Sequence, residues 1–215
     1  MGLCCDENGD NQPEIPIPQY SYRNYARMPD DRTNNFQFSA IYQLPFGKNQ
    51  RYLSEGIAAA VAGGWQVNGV LSLYSGTPFW ISAPTTSLNA PGSPQLADQV
   101  KPHVQIYGAH GLASPYFDTS AFAAVTTPRF GTSNFDALRG PGYGNFDFGI
   151  FRTFGIRDWL KAQFRMEAFN LTNHPNFLNP DSGVTDPDFG LTTATNPGSR
   201  IIAERYFRVG LKFLF

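Results

Sequence analysis

A glycine-rich stretch, Gly140-Pro-Gly-Tyr-Gly144, is the first place where this sequence could bind a ligand. Such a turn binds phosphate when a helix follows it, because the helix N-terminus presents free backbone N–H groups, and when a Lys-Ser/Thr pair is present. Here the next segment alternates apolar and polar residues like a strand, and the Lys-Ser/Thr pair is missing. The stretch therefore predicts a loop that enters a strand.

Possible metal ligands fall in segments that are predicted to be loops. The three histidines, His103, His110 and His174, lack the spacing and the cysteine partners of a zinc site. Oxygen ligands that suit calcium are offered by Asp181, Asp186 and Asp188, with Asn179 and Gly183 nearby. These residues do not have EF-hand spacing, and no Gly-x-Ser-x-Gly motif is present. The sequence thus predicts neither an enzyme nor a cofactor, and it leaves loop calcium open.

Five charged residues occupy polar positions of segments that alternate like strands. They are Asp147, Arg165, Glu167, Arg208 and Lys212. Opposite charges on neighbouring strands pair across a sheet, and no nucleophile or second acid accompanies them. The interpretation is an ion-pair ladder on one face of a sheet rather than a catalytic set.

The composition favours strands and large apolar surfaces. Charged residues make up only 15% of the chain, whereas soluble domains contain roughly 25%. Aromatic residues make up a further 15%. Glycine and proline are frequent, with 21 and 17 residues, which indicates many turns. The net charge of −1 and the lack of a basic patch argue against a nucleic-acid partner. No apolar run is long enough to predict a spanning helix.

The two cysteines, Cys4 and Cys5, are adjacent in the first residues of the chain. They are interpreted as incidental loop cysteines, and a vicinal disulfide or a metal site is left open. Neither a lipoprotein leader nor a secretory leader precedes them. We therefore expect either a piece of a longer protein or a displaced start, with residues 1–25 as an irregular segment and 26–215 as the structured part.

Five segments alternate apolar and polar residues with period two, which is typical of strands. Short connectors separate some of them, and long ones at 76–144 and 172–204 separate others. Short turns at one end and long loops at the other are typical of outer-membrane barrels. The predicted fold is all-β, an antiparallel up-and-down meander forming part of such a barrel. Its strands are Asn35–Leu44, Trp65–Ser75, Asn145–Phe154, Lys161–Asn170 and Arg205–Phe215.

The last strand predicts which side of the sheet meets lipid. An apolar set falls on one side of this strand, and Arg208 and Lys212 fall on the other. We expect the apolar set to face lipid and the five charged residues named above to face the lumen. Aromatic residues cluster at the short-turn end, as an interfacial girdle requires. The apolar set is Phe207, Val209, Leu211, Phe213 and Phe215.

An alternative from a different class is a secreted soluble β-sandwich. Its loop aromatics, Trp80, Tyr107 and Tyr116, would bind glycans. Dependence on detergent separates the two hypotheses, because the apolar face of a barrel wall has no second protein layer to cover it.

Several motifs resemble the barrel of TonB-dependent receptors, and in particular the Oar-like transporters, whose N-terminal parts carry a carboxypeptidase-regulatory-like domain and a plug. The resemblance covers about residues 25–215, and it depends on the order and spacing of the motifs. They are Gln43–Gly47, Gly63–Gly69, Ser75–Phe79, Tyr116–Phe122, Leu138–Gly142, Phe164–Phe177 and the terminal Phe215.

The resemblance implies the last five or so strands of a 22-stranded barrel in the outer membrane of a Gram-negative bacterium. It implies barrel wall and extracellular loops for the uptake of a substrate that the sequence does not name. The implied partners are outer-membrane lipid, the barrel-assembly machinery, which would read the terminal aromatic strand, and TonB. TonB would act only through a plug region, and neither a plug nor a TonB box is found in this sequence.

Overall fold

The computed structural model describes residues 2–3, 14–48, 50–198 and 203–215. Cys4 and Cys5 lie outside the described residues. By its internal contacts the chain divides into two compact units. The sheet unit comprises Asn35–Leu73, Gly144–Pro175 and Pro197–Phe215, and the loop unit comprises Met1–Asn34, Tyr74–Tyr143 and Asn176–Asn196. The predicted boundary after residue 25 therefore lies within the first segment of the loop unit.

The sheet is built from five long strands, which are joined in sequence order. All of them alternate residue by residue, so each strand has two chemically distinct sides. The antiparallel meander predicted from the sequence is confirmed, and β1 and β5 are its outer strands. The strands are β1 (Asn35–Gln43), β2 (Trp65–Tyr74), β3 (Tyr143–Arg157), β4 (Leu160–Phe169) and β5 (Tyr206–Leu214).

Strand β3 is longer than the sequence predicts, which shortens the connector to β4. The predicted connector ran from Gly155 to Leu160, whereas only Asp158 and Trp159 separate the two strands. Leu160 pairs with Arg157, and the register shifts between Leu160 and Lys161. A two-residue reversal is the shortest antiparallel connection, and it lets backbone pairing continue through Gly155 to Arg157.

An α-helix, Gly56–Ala62, occupies the connector between β1 and β2. The sequence analysis did not predict it. A helix of seven residues is too short to be stable alone, so contacts with the rest of the sheet unit must hold it. Among the described residues, no helix has the length and apolar character needed to cross a membrane.

The elements described in the loop unit are short. Two-residue strands pair as Gly2–Leu3 with Tyr25–Ala26, Pro78–Phe79 with Leu138–Arg139, and Asp98–Gln99 with Phe122–Ala123. Short 3-10 helices span Pro18–Asn24, Thr85–Ser87 and Thr119–Ala121. With so little regular structure, the unit must be held together by burial and side-chain hydrogen bonds.

Two hydrophobic clusters provide that burial. The larger cluster surrounds Phe117, which is fully buried and packs edge-on against Phe122 and Phe189 at ring distances of 5.8 and 5.4 Å. Such aromatic pairs contribute about 0.5–1.5 kcal/mol beyond the area that they bury. The smaller cluster consists of Ile15, Ala26, Leu88, Leu96, Phe130 and Phe135. The segments that link the sheet strands therefore form a folded unit with a core of its own.

The described part of the N-terminal segment belongs to this core. Ile15 is 1% exposed, and its backbone N–H donates to the side-chain carbonyl of Asn24 at 3.1 Å. Arg23 donates to the carbonyl oxygens of Gly131 and Ser133 at 2.6 and 2.7 Å. These bonds fix residues 15–24 to a segment more than a hundred positions away in the sequence.

The ion pair between Asp98 and Arg129 makes the loop unit sensitive to acid. Arg129 donates to both carboxylate oxygens of Asp98 at 2.7 Å, and this hydrogen bonding lowers the pKa of Asp98. Because the folded pKa is lower, the stabilisation is present above the unfolded aspartate pKa of about 3.9 and is lost as the pH falls through the folded value.

We expect the loop unit of the detergent-refolded chain to lose stability as the pH is lowered below about 4. The fluorescence of Trp80 in a Trp65→Phe/Trp159→Phe background reports this unit, because Trp80 packs against Phe135 at a ring distance of 6.0 Å. Asp98→Asn should weaken the pH dependence. An unchanged acid profile in Asp98→Asn would contradict the assignment.

Candidate membrane-facing and lumenal surfaces

The pairing register places the predicted lipid-facing residues on one continuous side of the sheet, called here the apolar face. In β5, Phe207, Val209, Leu211 and Phe213 lie opposite Ala168, Met166, Phe164 and Ala162 of β4. The same positions of β4 lie opposite Phe148, Ile150, Arg152 and Phe154 of β3. Directly opposed residues of antiparallel strands point to the same side, so the apolar positions of three strands align.

Strands β1 and β2 extend this face. The Trp65 ring of β2 packs edge-on against Phe164 at 6.1 Å, which places it on the same side. The Leu44 N–H donates to the Trp65 carbonyl at 2.9 Å, which sets residue 44 opposite Trp65. By alternation Phe36, Phe38 and Tyr42 lie on the same side, and each is more than half exposed.

The residues that β5 contributes to the apolar face are exposed. Phe207, Val209, Leu211 and Phe213 are 53–64% exposed, and Phe215 is 97% exposed. A contiguous apolar surface of this kind is rare on soluble monomers and marks a surface that meets lipid or another protein. The geometry therefore suits the predicted lipid contact, and the lipid assignment itself stays a prediction.

The opposite side of the sheet, called here the polar face, carries all five predicted lumenal residues. Three of them form an ion-pair triad. Arg208 donates to one carboxylate oxygen of Glu167 at 2.7 and 2.9 Å, and Arg165 donates to the other at 3.0 Å. Glu167 and Arg208 are direct partners across β4 and β5. One carboxylate thus bridges two guanidinium groups.

Aromatic rings support both arginines of the triad. The guanidinium of Arg165 lies 5.0 Å from the ring centre of Phe151, and that of Arg208 lies 5.1 Å from Phe169. Phe169 in turn stacks on Tyr206 at 4.6 Å. Each cation–π contact contributes about 0.5–1 kcal/mol at exposed sites and restricts the arginine side chain.

The other two predicted lumenal residues lie apart from the triad. Lys212 lies opposite Gln163. It is four residues from Arg208 along β5, a distance of about 13 Å along the strand. Asp147 accepts a hydrogen bond from the backbone N–H of Asn170 at 2.9 Å. The five charges therefore share a face, and the contacts described above join Arg165, Glu167 and Arg208 into one network.

Removing the shared carboxylate should weaken the sheet measurably. In Glu167→Gln, two guanidinium groups lose their common anion, and we expect a loss of about 1 kcal/mol because both arginines are partly solvated. The double variant Glu167→Gln/Arg208→Gln should lose less than the sum of the single variants. Urea unfolding of the chain in detergent measures both, and strict additivity would argue against coupling.

Asn170, at the end of β4, fixes the start of the following loop. It is 1% exposed with a φ of 49°, a left-handed conformation that asparagine tolerates. Its side-chain amide donates to the carbonyls of His174 and Ala203 at 3.0 and 2.9 Å and accepts from the His174 backbone N–H at 3.1 Å. The chain turns sharply here because one side chain satisfies three backbone groups.

The glycine-rich stretch is a site of close backbone packing. Gly140 donates its N–H to Thr77 at 2.9 Å, and a side chain at Gly76 would collide with the carbonyl of Gly140. Arg139 donates to the carbonyl oxygen of Gly76 at 2.7 Å and pairs with Asp31 at 2.7 Å. The stretch then enters β3 at Tyr143, so the predicted loop that enters a strand is what the structure has.

Within the described ranges, no group of three or more His, Cys, Asp or Glu side chains is arranged to hold a metal ion. Of the possible calcium ligands, Asp181 accepts from the backbone N–H of Gly183 at 3.0 Å, a local turn contact. The backbone N–H of Asp186 likewise bonds the Gly183 carbonyl at 2.9 Å.

The aromatic residues of the sandwich hypothesis differ in their exposure. Tyr116 is 7% exposed and donates its hydroxyl to the Arg139 carbonyl at 3.0 Å, while Tyr107 is 55% exposed. Trp80 packs against the smaller core cluster. In the part of the chain that the structure describes, the remaining sheets are two-stranded, so the second layer of a β-sandwich is not formed.

Sequence reasoning missed Arg152, a charged residue on the apolar face. It lies opposite Phe164, and its guanidinium donates to the carbonyl oxygens of Ala60 and Val61 at the end of the short helix. Its ring contacts are Phe154 at 4.5 Å and Trp65 at 5.6 Å. The sequence did contain a signal for it. Alternation places residue 152 on the same side of β3 as Phe148 and Ile150, so a charged residue was to be expected on the apolar face.

Comparison with known proteins gives one result that bears on identity. The family model described as an outer membrane beta barrel domain matches residues 4–203, which is most of the chain. No curated protein and no solved structure gives a significant match. The match agrees with the all-β meander and its exposed apolar face. The chain therefore belongs to the outer membrane beta barrel domain family, and its location is the outer membrane of a Gram-negative bacterium.

Proposed function

We propose that this chain supplies barrel wall and extracellular loops of a TonB-dependent, Oar-like receptor that takes up a substrate through the outer membrane. The proposed role is not catalytic. The observation that carries it is the loop unit, because the segments that connect the sheet strands share two hydrophobic cores. Loops with their own core present a fixed surface, which suits the capture of a specific molecule.

The motifs behind the resemblance also meet in the structure. Ser75–Phe79 and Leu138–Gly142 are far apart in sequence, yet Pro78–Phe79 pairs with Leu138–Arg139. Tyr116–Phe122 contains four members of the larger core cluster. The motif Phe164–Phe177 contains Asn170, which fixes the start of a loop. Their spacing therefore has a structural cause in this chain, and that supports treating them as one pattern.

The two faces of the sheet have distinct partners under this proposal. The apolar face contacts outer-membrane lipid, and the polar face with its ion-pair triad lines a water-filled or plugged lumen. Five strands are too few to close a barrel of that width, so further strands would complete the wall. TonB would act through a plug region, as the resemblance implies.

Growth of the source bacterium on an array of single nutrients tests the proposal. A strain without this gene should fail on a subset of the nutrients on which a strain without TonB fails, and the wild-type gene should restore growth. Growth defects on nutrients that the TonB-deficient strain still uses would contradict TonB-dependent uptake.

The terminal aromatic residue provides a second prediction. Phe215 is 97% exposed and follows β5 directly, so the folded sheet gains little from its side chain. If the barrel-assembly machinery reads this residue, its deletion should lower the outer-membrane yield severalfold while leaving the stability of assembled protein unchanged. Quantitative blots of outer-membrane fractions measure the yield. Phe215→Tyr is the matched control and should assemble normally, and a normal yield for the deletion would contradict recognition of the terminus.

A further inference from the structure

The short-turn end of the sheet unit combines an apolar helix with arginines that contact aromatic rings. The helix Gly56–Ala62 has no polar side chain, and Ile57 and Val61 are 84% and 64% exposed. These two residues are four positions apart, so they share one side of the helix. An exposed apolar stripe of this kind suits contact with lipid or with another protein.

Contacts from β2 and β3 fix this helix to the apolar side of the sheet. The indole N–H of Trp65 donates to the Val61 carbonyl at 3.0 Å, and Arg152 donates to the Ala60 and Val61 carbonyls. Trp65 and Arg152 both lie on the apolar face. The Trp65 ring packs against Phe164 of that face, and Arg152 lies directly opposite Phe164 across β3 and β4. The positive guanidinium also suits the negative end of the helix dipole. The helix therefore continues the apolar face of the sheet.

Close backbone packing strengthens this attachment. A side chain at Gly63 would collide with the Ala59 carbonyl and with the backbone of Gly47. The Gly47 N–H donates to the Tyr52 carbonyl at 3.0 Å, and Tyr52 donates back to Pro45 at 3.1 Å. The connector thus folds tightly against the helix end instead of extending away from the sheet.

Each of three arginines at this end lies over an aromatic ring. Arg51 lies 5.5 Å from Tyr52, Arg152 lies 4.5 Å from Phe154, and Arg157 lies 6.0 Å from the Trp159 ring centre. Residues 44–65 and 152–161 together hold five basic side chains (Lys48, Arg51, Arg152, Arg157, Lys161) and two acidic ones (Glu55, Asp158). Aromatic rings next to cations, beside an apolar surface, suit the region where acyl chains meet headgroup phosphates.

We propose that the helix Gly56–Ala62 lies in the plane of the membrane interface and, with Arg51, Arg152 and Arg157, forms a belt that binds the phosphate headgroups of glycerophospholipids. Ile57 and Val61 enter the acyl region, and the arginines contact phosphate. The belt requires the assigned barrel orientation and is independent of TonB. A protein that failed the nutrient test could still have this belt.

A photo-crosslinking amino acid at position 57 of the full-length protein tests the helix. Irradiation in living cells should attach a phospholipid, which mass spectrometry detects on the tryptic peptide that contains residue 57. The same amino acid at the exposed position 107 of the loop unit is the matched control and should yield no phospholipid adduct. A protein adduct or no lipid adduct at position 57 would overturn the proposal.

Lipid titration by native mass spectrometry tests the arginines. The purified protein should bind phosphatidylglycerol more tightly than digalactosyldiacylglycerol with the same acyl chains. Arg51→Gln/Arg157→Gln should reduce that preference by about fivefold for each arginine removed, whereas Arg27→Gln in the loop unit should leave it unchanged. Equal affinity for both lipids in the wild type, or an unreduced preference in the double variant, would refute phosphate binding. If the double variant failed to fold, the wild-type comparison and the position-57 adduct would still decide.

Discussion

Leu211→Arg should lower the amount of protein in the outer membrane far more than Gly210→Arg does. Leu211 lies on the apolar face, 59% exposed and opposite Phe164. An arginine near the bilayer midplane costs about 2–4 kcal/mol on the outside of a barrel. At equilibrium, 2 kcal/mol corresponds to roughly a thirtyfold change in the population of the inserted state.

Gly210→Arg is the matched control, because it places the same side chain one position away in the same strand. Among the described residues, and apart from the two chain neighbours, no heavy atom lies within 4 Å of a Cβ added at Gly210, so a side chain can begin there without a clash. It would enter the polar face opposite Arg165, and the like-charge contact costs up to about 1 kcal/mol.

Outer-membrane fractions and heat-modifiable mobility on gels measure insertion for both variants, placed in the full-length protein. The wild type and Gly210→Arg should show similar levels, and Leu211→Arg should be depleted or degraded. Equal levels of the two arginine variants would refute the assignment of the apolar face to lipid. A selective loss of Gly210→Arg would indicate that the two faces are exchanged.

The sheet could be predicted from the sequence because its signal is local. In β5 the period-two alternation of Phe207 to Phe213 can be read from consecutive residues, and it already separates the two faces. Register follows from the same pattern, since a shift by one residue would move Arg208 and Lys212 to the apolar side. The opposition of Glu167 to Arg208 agrees with this reasoning.

The loop unit could not be predicted in the same way, because its contacts join distant parts of the chain. Ser82 bonds to Ser182 at 2.9 Å across a hundred residues, and Arg23 bonds to Gly131 at 2.6 Å. Neither pairing leaves a periodic pattern in the sequence. The sequence analysis therefore predicted these segments only as long loops.

Arg152 and the helix show a different limit of sequence reasoning. A charged residue on an apolar face contradicts the alternation rule when β3 is read alone. The structure resolves the contradiction, because the guanidinium bonds to carbonyls of the helix that precedes β2. The acceptors are backbone carbonyl oxygens, which every residue has. Residue types therefore could not indicate which residues Arg152 would contact.

Phe117→Ala should unfold the loop unit while the sheet stays assembled. Phe117 is fully buried and contacts the rings of Phe79, Phe122 and Phe189, at centroid distances of 6.2, 5.8 and 5.4 Å. Truncating a buried phenylalanine costs about 3–5 kcal/mol, which is a large share of the stability of a small folded unit. The strands of the sheet unit have their own backbone pairing, so the damage should stay local.

Protease treatment of intact cells measures the outcome. Phe117→Ala should be cleaved within residues 75–142 or 176–196, while the strands retain heat-modifiable mobility. Phe117→Leu conserves most of the volume and should resist cleavage better, and Tyr107→Ala, at a position that is 55% exposed in the same unit, should behave like the wild type. Wild-type resistance in Phe117→Ala would show that this cluster does not hold the loops together. Loss of the assembled sheet in the same variant would show that the two units fold as one.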